Sequence, residues 1–313
     1  MIKTLHILNP AAGSGHLPDT RTLDGEVHIT TRPGDATEFL EARLFGGGYY
    51  RVFVYGGDGT QNEAVNGIMR AGAGKRTVLT PVPTGTGNDF FKLSSKMEEE
   101  TACDVIRYND RYALNVLNIG FDSAVAERTN NLKKSRFSPF HGASAYIVSC
   151  GIELVKKTTE HLKLSLYDEA NKRENIEDDF LLCLVANGRY YGGGFEAAPA
   201  AEPSDGLLDV IMVKNVSRMT FIKLVGLYKR GEHIDKKTLR PTDKLRDILT
   251  FRRVPKLTID NVHRFCTDGE ISTANGSLNI ESISHAILVC GAGAQINTES
   301  YKGRGQGKSK LRV

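Results

Sequence analysis

The sequence predicts an α/β N-terminal domain, a parallel sheet covered by helices, followed by a mostly β second domain folded as a sandwich. Three observations predict it. Up to about residue 112, apolar strand-length runs alternate with stretches of helical spacing. Several of those runs end in glycine-rich loops. Beyond residue 112, strand-length runs dominate and helical spacing recurs only at 144–156 and 217–229.

Residues 2–8 read as a strand ended by Asn9-Pro10, with a glycine-rich turn at 9–15. Residues 27–30 form a short strand, and 35–44 have helical spacing with Asp35 placed as the cap. Residues 51–55 (RVFVY) are a strand leading into Gly56-Gly57-Asp58-Gly59-Thr60. A helix over 61–71 turns Ala64, Val65, Ile68 and Met69 toward a core. The strand at 77–82 runs into a further glycine loop. In the second domain the expected strands are 112–119, 162–167, 180–186, 208–213, 256–259 and 286–290.

A chain of 313 residues has room for two domains. With 40% hydrophobic and 25% charged residues it reads as a soluble globular protein. The net charge of +4 is too small to imply nucleic acid, and residues 301–313 account for it with five basic residues and no acidic one. The Gly-Arg-Gly-Gln-Gly of that tail lacks interleaved aromatics, so no nucleic-acid partner is expected. Five scattered cysteines without a C-x-x-C pair argue against a disulfide framework or zinc site, and fit a reducing cytoplasm. The N-terminus shows no signal peptide, and the longest apolar runs are too short to span a bilayer. A membrane would be met from its surface.

The loops carry the chemistry. In an open parallel sheet, ligands sit beyond the carboxyl ends of the strands. Glycine lets backbone amides approach phosphate oxygens there, and helices starting near Gln61 and Asn88 add favourable N-termini. Asp58 and Asp89 would repel a polyphosphate unless a cation lies between, which points to nucleotide with Mg²⁺. No G-x-x-x-x-G-K-[ST] occurs, nor G-x-G-x-x-G at a strand–helix junction, and His263-Arg264-Phe265 lacks the Asp of a protein-kinase loop.

Gly56-Gly57-Asp58-Gly59-Thr60-Gln61-Asn62-Glu63, followed by Asn66-Gly67, resembles the signature of the diacylglycerol kinase catalytic domain, in its bacterial soluble lipid-kinase branch. Pro83-Thr84-Gly85-Thr86-Gly87-Asn88-Asp89-Phe90 resembles its second signature. Tyr191-Gly192-Gly193-Gly194-Phe195, Ser204-Asp205-Gly206-Leu207-Leu208-Asp209 and Asp268-Gly269-Glu270 resemble second-domain motifs, in order. Ser204 stands where many relatives carry a second Asp, and Gly87 is an added glycine.

The resemblance implies an NAD-kinase-like nucleotide domain over 1–112, completed by 291–313, and a lipid-substrate sandwich over 113–290. It implies ATP contacts at Asn9, Pro10, Ala11, Ala12, Gly13, Thr30, Gly56, Gly57, Asp58, Gly59, Thr60, Gln61, Asn62 and Thr86, with Asn88 and Asp89 beside them. It implies a catalytic Mg²⁺ at Asp58 and Asp89 and a structural one at Glu202, Asp205 and Leu207. Glu270 matches the proton acceptor, with Asp268 beside it as the alternative base. The implied partner is a membrane lipid, diacylglycerol by default, met by a cytoplasmic protein at the inner membrane face; a homodimer is also expected to be possible. Sphingosine, ceramide or phosphatidylglycerol as acceptor, a soluble substrate as in NAD kinases, and a nucleotide-binding regulator without turnover stay open. Residues 301–313, Lys133-Lys134 with Arg136, and Arg252-Arg253 are the basic candidates for membrane contact.

Overall fold

The strand β3 (Tyr50–Gly56) shows how the first domain forms, since its residues alternate between buried and half-exposed. It pairs in parallel with β1 (Lys3–Leu8) and β4 (Thr77–Pro83), and β1 pairs in parallel with β2 (Glu26–Ile29). Parallel strands need helices over them. Here α1 (Asp35–Phe45) buries Leu40 and Leu44, and α2 (Asp58–Arg70) buries Ala64, Val65 and Ile68. Each fully buried aliphatic side chain of this cluster stabilises by about 1.5–3 kcal/mol. This architecture comes from a computed structural model, which describes residues 2–12, 17–84, 88–134, 149 and 159–294.

Two local expectations change. Helix α2 begins at Asp58, three residues before the expected Gln61, so the glycine loop supplies its first turn. Asp35 does not cap α1: it is the first helical residue, and its carboxylate accepts from Thr31 N at 2.7 Å and meets His28 at 2.9 Å. The capping is done from outside. Glu63 on α2 accepts from Gly34 N (2.9 Å) and Ala36 N (3.3 Å), so one carboxylate satisfies two orphan donors and ties the helices together.

The rest of the chain is β-rich. After α3 (Asp89–Ser94) come β5 (Thr101–Tyr108), β6 (Arg111–Ala113), β7 (Val116–Gly120), α4 (Phe121–Lys134), β8 (Glu160–Tyr167), β9 (Arg173–Ala186) and β10 (Leu208–Lys214). Then follow α5 (Arg218–Lys229), the small hairpin β11 (Ile234–Asp235) and β12 (Arg240–Pro241), β13 (Leu249–Val254), β14 (Lys256–Thr267) and β15 (Glu270–Val289). The strands β7 to β10, β13 and β14 pair antiparallel and enclose a core that includes Leu162, Phe180, Val185, Ile259 and Phe265. Ser217 caps α5 by accepting from Thr220 N at 3.1 Å, as its position before a helical run predicts.

One strand joins the two halves. β15 pairs antiparallel with β14 and β5, and its end pairs in parallel with β4 at Leu288↔Val78 and Val289↔Leu79. All 13 strands outside the hairpin thus form one sheet among the described residues. The return to the first domain is already under way in β15, which pairs with β5 from Ile280 and with β4 at 288–289; of the expected 291–313 only 291–294 is described, and there Gly291 N donates to Met97 O and Arg51 reaches Ala294 O. The expected strand at 286–290 is the tail of a 20-residue strand whose polar, alternating sequence hid it. Asn275-Gly276 reads as a turn pair, yet Gly276 (φ 96°) sits at a bulge opposite Val262. The helix expected over 144–156, Arg136 and the basic tail lie outside the described residues, Ser149 excepted.

His233 sits fully buried, donates from Nε2 to Ala197 O at 3.0 Å and packs against Tyr228. Burial pushes its imidazole down to about 4. The neutral ring therefore stabilises the fold above the unfolded value near 6.5, and that contribution disappears as pH falls toward about 4. Acid melts should lose roughly 3 kcal/mol across this window from His233 alone. His233→Gln should flatten that part of the curve; an unchanged slope would remove the imidazole as its source. No helix among the described residues is long and apolar enough to cross a membrane.

Candidate active site

The site lies where the carboxyl ends of β1, β3 and β4 meet the β14–β15 turn. Asn9 follows β1; its Nδ2 donates to Thr60 Oγ1 (2.8 Å) and its Oδ1 accepts from Ala11 N (2.9 Å). Pro10, Ala11 and Ala12 form the turn that this bond holds, closed by Ala12 N to Asn9 O at 3.2 Å. Thr30 is buried beside it, donating to Leu8 O. Gly56 ends β3 against Thr60, whose side chain a Cβ at position 56 would strike at 2.4 Å. Gly57 precedes the helix in extended conformation, so the N-terminal donors of α2 receive no side-chain cap from it. Gly13 and Thr86 lie outside the described residues.

Asp58, half-buried, is the first residue of α2. Its Oδ1 accepts from Asp89 N at 2.9 Å, so the two glycine loops are bonded to each other. Burial, with the charges of Asp89 and Asp268 nearby, pushes its carboxyl up to about 7. Asp89 is buried at the start of α3, after Asn88 in the left-handed region (φ 52°). One Asp89 oxygen meets Lys92 Nζ at 2.9 Å and the other accepts from Gly193 N at 2.8 Å. Gln61 is buried, and neither side-chain amide atom is paired among the described residues.

The two candidate bases have different surroundings. Asp268 is buried and accepts four hydrogen bonds: from Leu114 N (2.9 Å), Asn115 N (3.1 Å), Val116 N (2.9 Å) and Asn62 Nδ2 (3.0 Å). Burial pushes its carboxyl up, while the four donors hold the charged form. These bonds also break the expected 112–119 strand into β6 and β7, because they take the amides of 114–116 out of the ladder. Asn62, expected at the phosphates, divides its amide between Asp268 and Tyr112 O (3.1 Å). Both side chains thus serve as a latch between α2 and the second domain. Glu270, by contrast, is exposed, with no side-chain hydrogen bond or ion pair among the described residues. Its Oε1 stands 2.7 Å from where a Cβ on Gly59 would be, which puts the end of this side chain over the start of α2.

The loop expected to hold a second Mg²⁺ is arranged differently. Glu202 pairs with Arg189 at 2.9 Å. Asp205 pairs with Arg253 and accepts from Leu207 N (2.9 Å). Arg253 Nε also reaches buried Asp209 at 2.9 Å, and burial pushes that carboxyl up to about 6. Two guanidinium groups therefore supply the positive charge at Glu202 and Asp205, and these carboxylates as arranged do not fit a further cation. A cation fits better at Asp58, a carboxyl pushed up to about 7 by burial and by the charges of Asp89 and Asp268. Arg252 and Arg253, expected at a membrane, are instead paired within the protein, Arg252 with Glu174 at 2.8 Å.

Sequence reading missed Asp104, which is fully buried. It accepts from Gly206 N (2.6 Å) and His285 N (2.7 Å), joining the 203–207 loop to the kink in β15 where His285 has φ 51°. It also missed Lys92, and offered Arg253 only as a membrane contact. Nothing local marks Asp104 or the site role of Arg253, since their partners lie far along the chain, whereas Lys92 pairs with Asp89 only three residues away.

The family model of the diacylglycerol kinase catalytic domain matches residues 3–119, and that of the YegS C-terminal NAD kinase beta sandwich-like domain matches 115–280. Among similar proteins, a diacylglycerol kinase of Mycobacterium tuberculosis is 30% identical over 220 residues, 64% of this chain and 66% of that one. A protein of Alcanivorax borkumensis named "Probable lipid kinase YegS-like" is 29% identical over 200 residues, 60% of this chain and 62% of its own length. The matches thus span a little under two thirds of these relatives. A crystal structure of a diacylglycerol kinase from Bacillus anthracis superposes with a TM-score of 0.62 over 92% of this chain and 96% of that one, at 22% identity, a likeness of fold. Signatures, sheet topology and family matches agree: the chain belongs to the diacylglycerol kinase catalytic-domain family, with a YegS-type β-sandwich-like C-terminal domain.

Proposed function

We propose that this chain is an ATP-dependent lipid kinase that transfers the γ-phosphate to a lipid hydroxyl, with diacylglycerol as acceptor and phosphatidic acid as product. The observation that carries the reading is Glu270: an exposed carboxylate without a hydrogen-bond or ion-pair partner among the described residues, its Oε1 close to Gly59 in the first turn of α2, the residue after half-buried Asp58. An aliphatic hydroxyl needs a carboxylate within hydrogen-bond reach to take its proton. Glu270 accepts that proton while the acceptor oxygen bonds to the γ-phosphorus and the bond to the β–γ bridging oxygen breaks. The α2 N-terminus and the 9–12 turn offer backbone donors to the phosphates. Mg²⁺ at Asp58 would supply charge neutralisation for the triphosphate. The names of the relatives support lipid over soluble acceptors. The proposed setting is the cytoplasm, with the protein peripheral to the inner membrane face.

Labelled ATP offered with mixed-micelle lipids and with NAD tests this. Labelled phosphatidic acid supports it; label on another lipid moves the acceptor, label on NAD alone overturns it, and no product points to a non-catalytic nucleotide binder. Asp58→Asn is expected to lower turnover by at least about 100-fold. It should also stabilise the metal-free protein at pH 8. A raised carboxyl contributes stability fully present below its unfolded value of 3.8, lost as pH rises through about 7. Melting the two proteins at pH 5 and pH 8 checks this; an Asn variant less stable at pH 8 would contradict the charge argument.

A further inference from the structure

Five large apolar side chains stand exposed among the described residues, and three of them, Met219, Ile222 and Leu239, fall within residues 217–241. The same segment carries seven Lys or Arg and two Asp or Glu, an excess of five positive charges in a chain whose whole net charge is +4. It contains α5 and the hairpin that follows. On α5, Phe221, Leu224 and Tyr228 face the core, which turns Met219, Ile222 and Lys223 outward. The helix is therefore apolar on both sides over its first two turns. No acidic residue lies between 217 and 231.

The hairpin displays its apolar residue deliberately. Leu239 holds φ 52°, a region unfavourable for leucine, and is 40% exposed. Its N–H donates to Asp235 O at 2.8 Å, and Asp235 Oδ1 accepts from Lys237 N and Thr238 N. Ile234 of the hairpin and Leu224 of α5 belong to one core cluster, so the two elements are neighbours. They also adjoin the site. Glu196 N donates to Lys229 O, Phe195 packs on Tyr228, and Gly193 N of the same loop donates to Asp89.

Exposed apolar residues in a segment with this excess of basic ones suit the headgroup region of an anionic bilayer, even with Arg230 paired to Glu232 and Lys236 to Glu196. A second copy fits worse, because an isologous contact would set the same excess charge against itself. Resting on the lipid-kinase reading, we propose that α5 and the β11–β12 hairpin are the face that docks on anionic lipid, seating Met219, Ile222 and Leu239 among the headgroups and bringing the neighbouring cleft to its acceptor.

The test uses the full chain, wild type and the variants Met219→Glu/Ile222→Glu and Lys223→Glu/Leu239→Glu. Binding is read by cosedimentation with vesicles of phosphatidylcholine and phosphatidylglycerol, against pure phosphatidylcholine. Turnover is read on a water-soluble short-chain diacylglycerol. The wild type should bind only the anionic vesicles, and each variant should bind them at least about tenfold more weakly with unchanged short-chain turnover and melting temperature. Variants that bind as wild type does, or a wild type that ignores anionic vesicles, would overturn the docking face. So would a wild-type dimer that the variants dissolve, which would assign the face to a second copy. Vesicle binding with no lipid phosphorylated would leave the docking face standing and sink the kinase reading instead.

Discussion

Glu270→Gln is expected to lower turnover by roughly 10²–10⁴-fold while leaving the folded structure and nucleotide binding in place. The amide has the carboxylate's shape but cannot take the acceptor's proton. Glu270 is exposed and carries no hydrogen bond or ion pair among the described residues, so its loss removes nothing that supports the fold. Melting temperature should hold within about a degree, and kcat should fall with little change in the KM for ATP. Wild-type turnover in a purified, correctly folded sample would remove Glu270 as the base. Glu270→Asp keeps a carboxylate but draws it back by one methylene, so it should recover only part of the rate that Glu270→Gln loses.

Asp268→Ala is expected to have its largest effect on stability. The substitution strips the acceptor from three backbone N–H groups and the Asn62 amide in one step. Each buried donor left unpaired costs about 1–3 kcal/mol, so the loss should be about 4 kcal/mol or more, at the upper end for a single change. Denaturant unfolding would measure it. Asp268→Asn keeps one oxygen for two of the donors and should fall between alanine and wild type. Turnover should fall with Asp268→Ala as well, because Asn62 and the start of α2 lose their tether to the second domain. A variant that is fully stable yet inactive would instead return Asp268 to the role of base.

These two residues also show what a sequence can disclose. Asp268-Gly269-Glu270 reads equally well as a turn or as an active-site pair, and both carboxylates were candidates for one role. Local pattern could not divide them, because the division is made by atoms about 150 and about 200 residues away in the chain: the amides of 114–116 and the side chain of Asn62. Glu63 is a similar case. At the third position of the expected helix, after Gln61 and Asn62, nothing local sets it apart, yet it caps α1, a helix whose expected cap was Asp35.

By itself, the sequence determined the parallel α/β start, the β-rich second half and the glycine loops beyond β1, β3 and β4, since strand period, helix period and glycine's backbone freedom are local properties. It also determined the carboxylates that could take part. The tertiary structure alone decided that β15 runs 20 residues and closes both halves into one sheet. It alone gave Arg189 and Arg253 to the 202–207 loop, and left Glu270 open while binding Asp268 shut. The reason is the same each time: a carboxylate's role is set by the donors and charges around it, and those arrive from strands that only folding brings together.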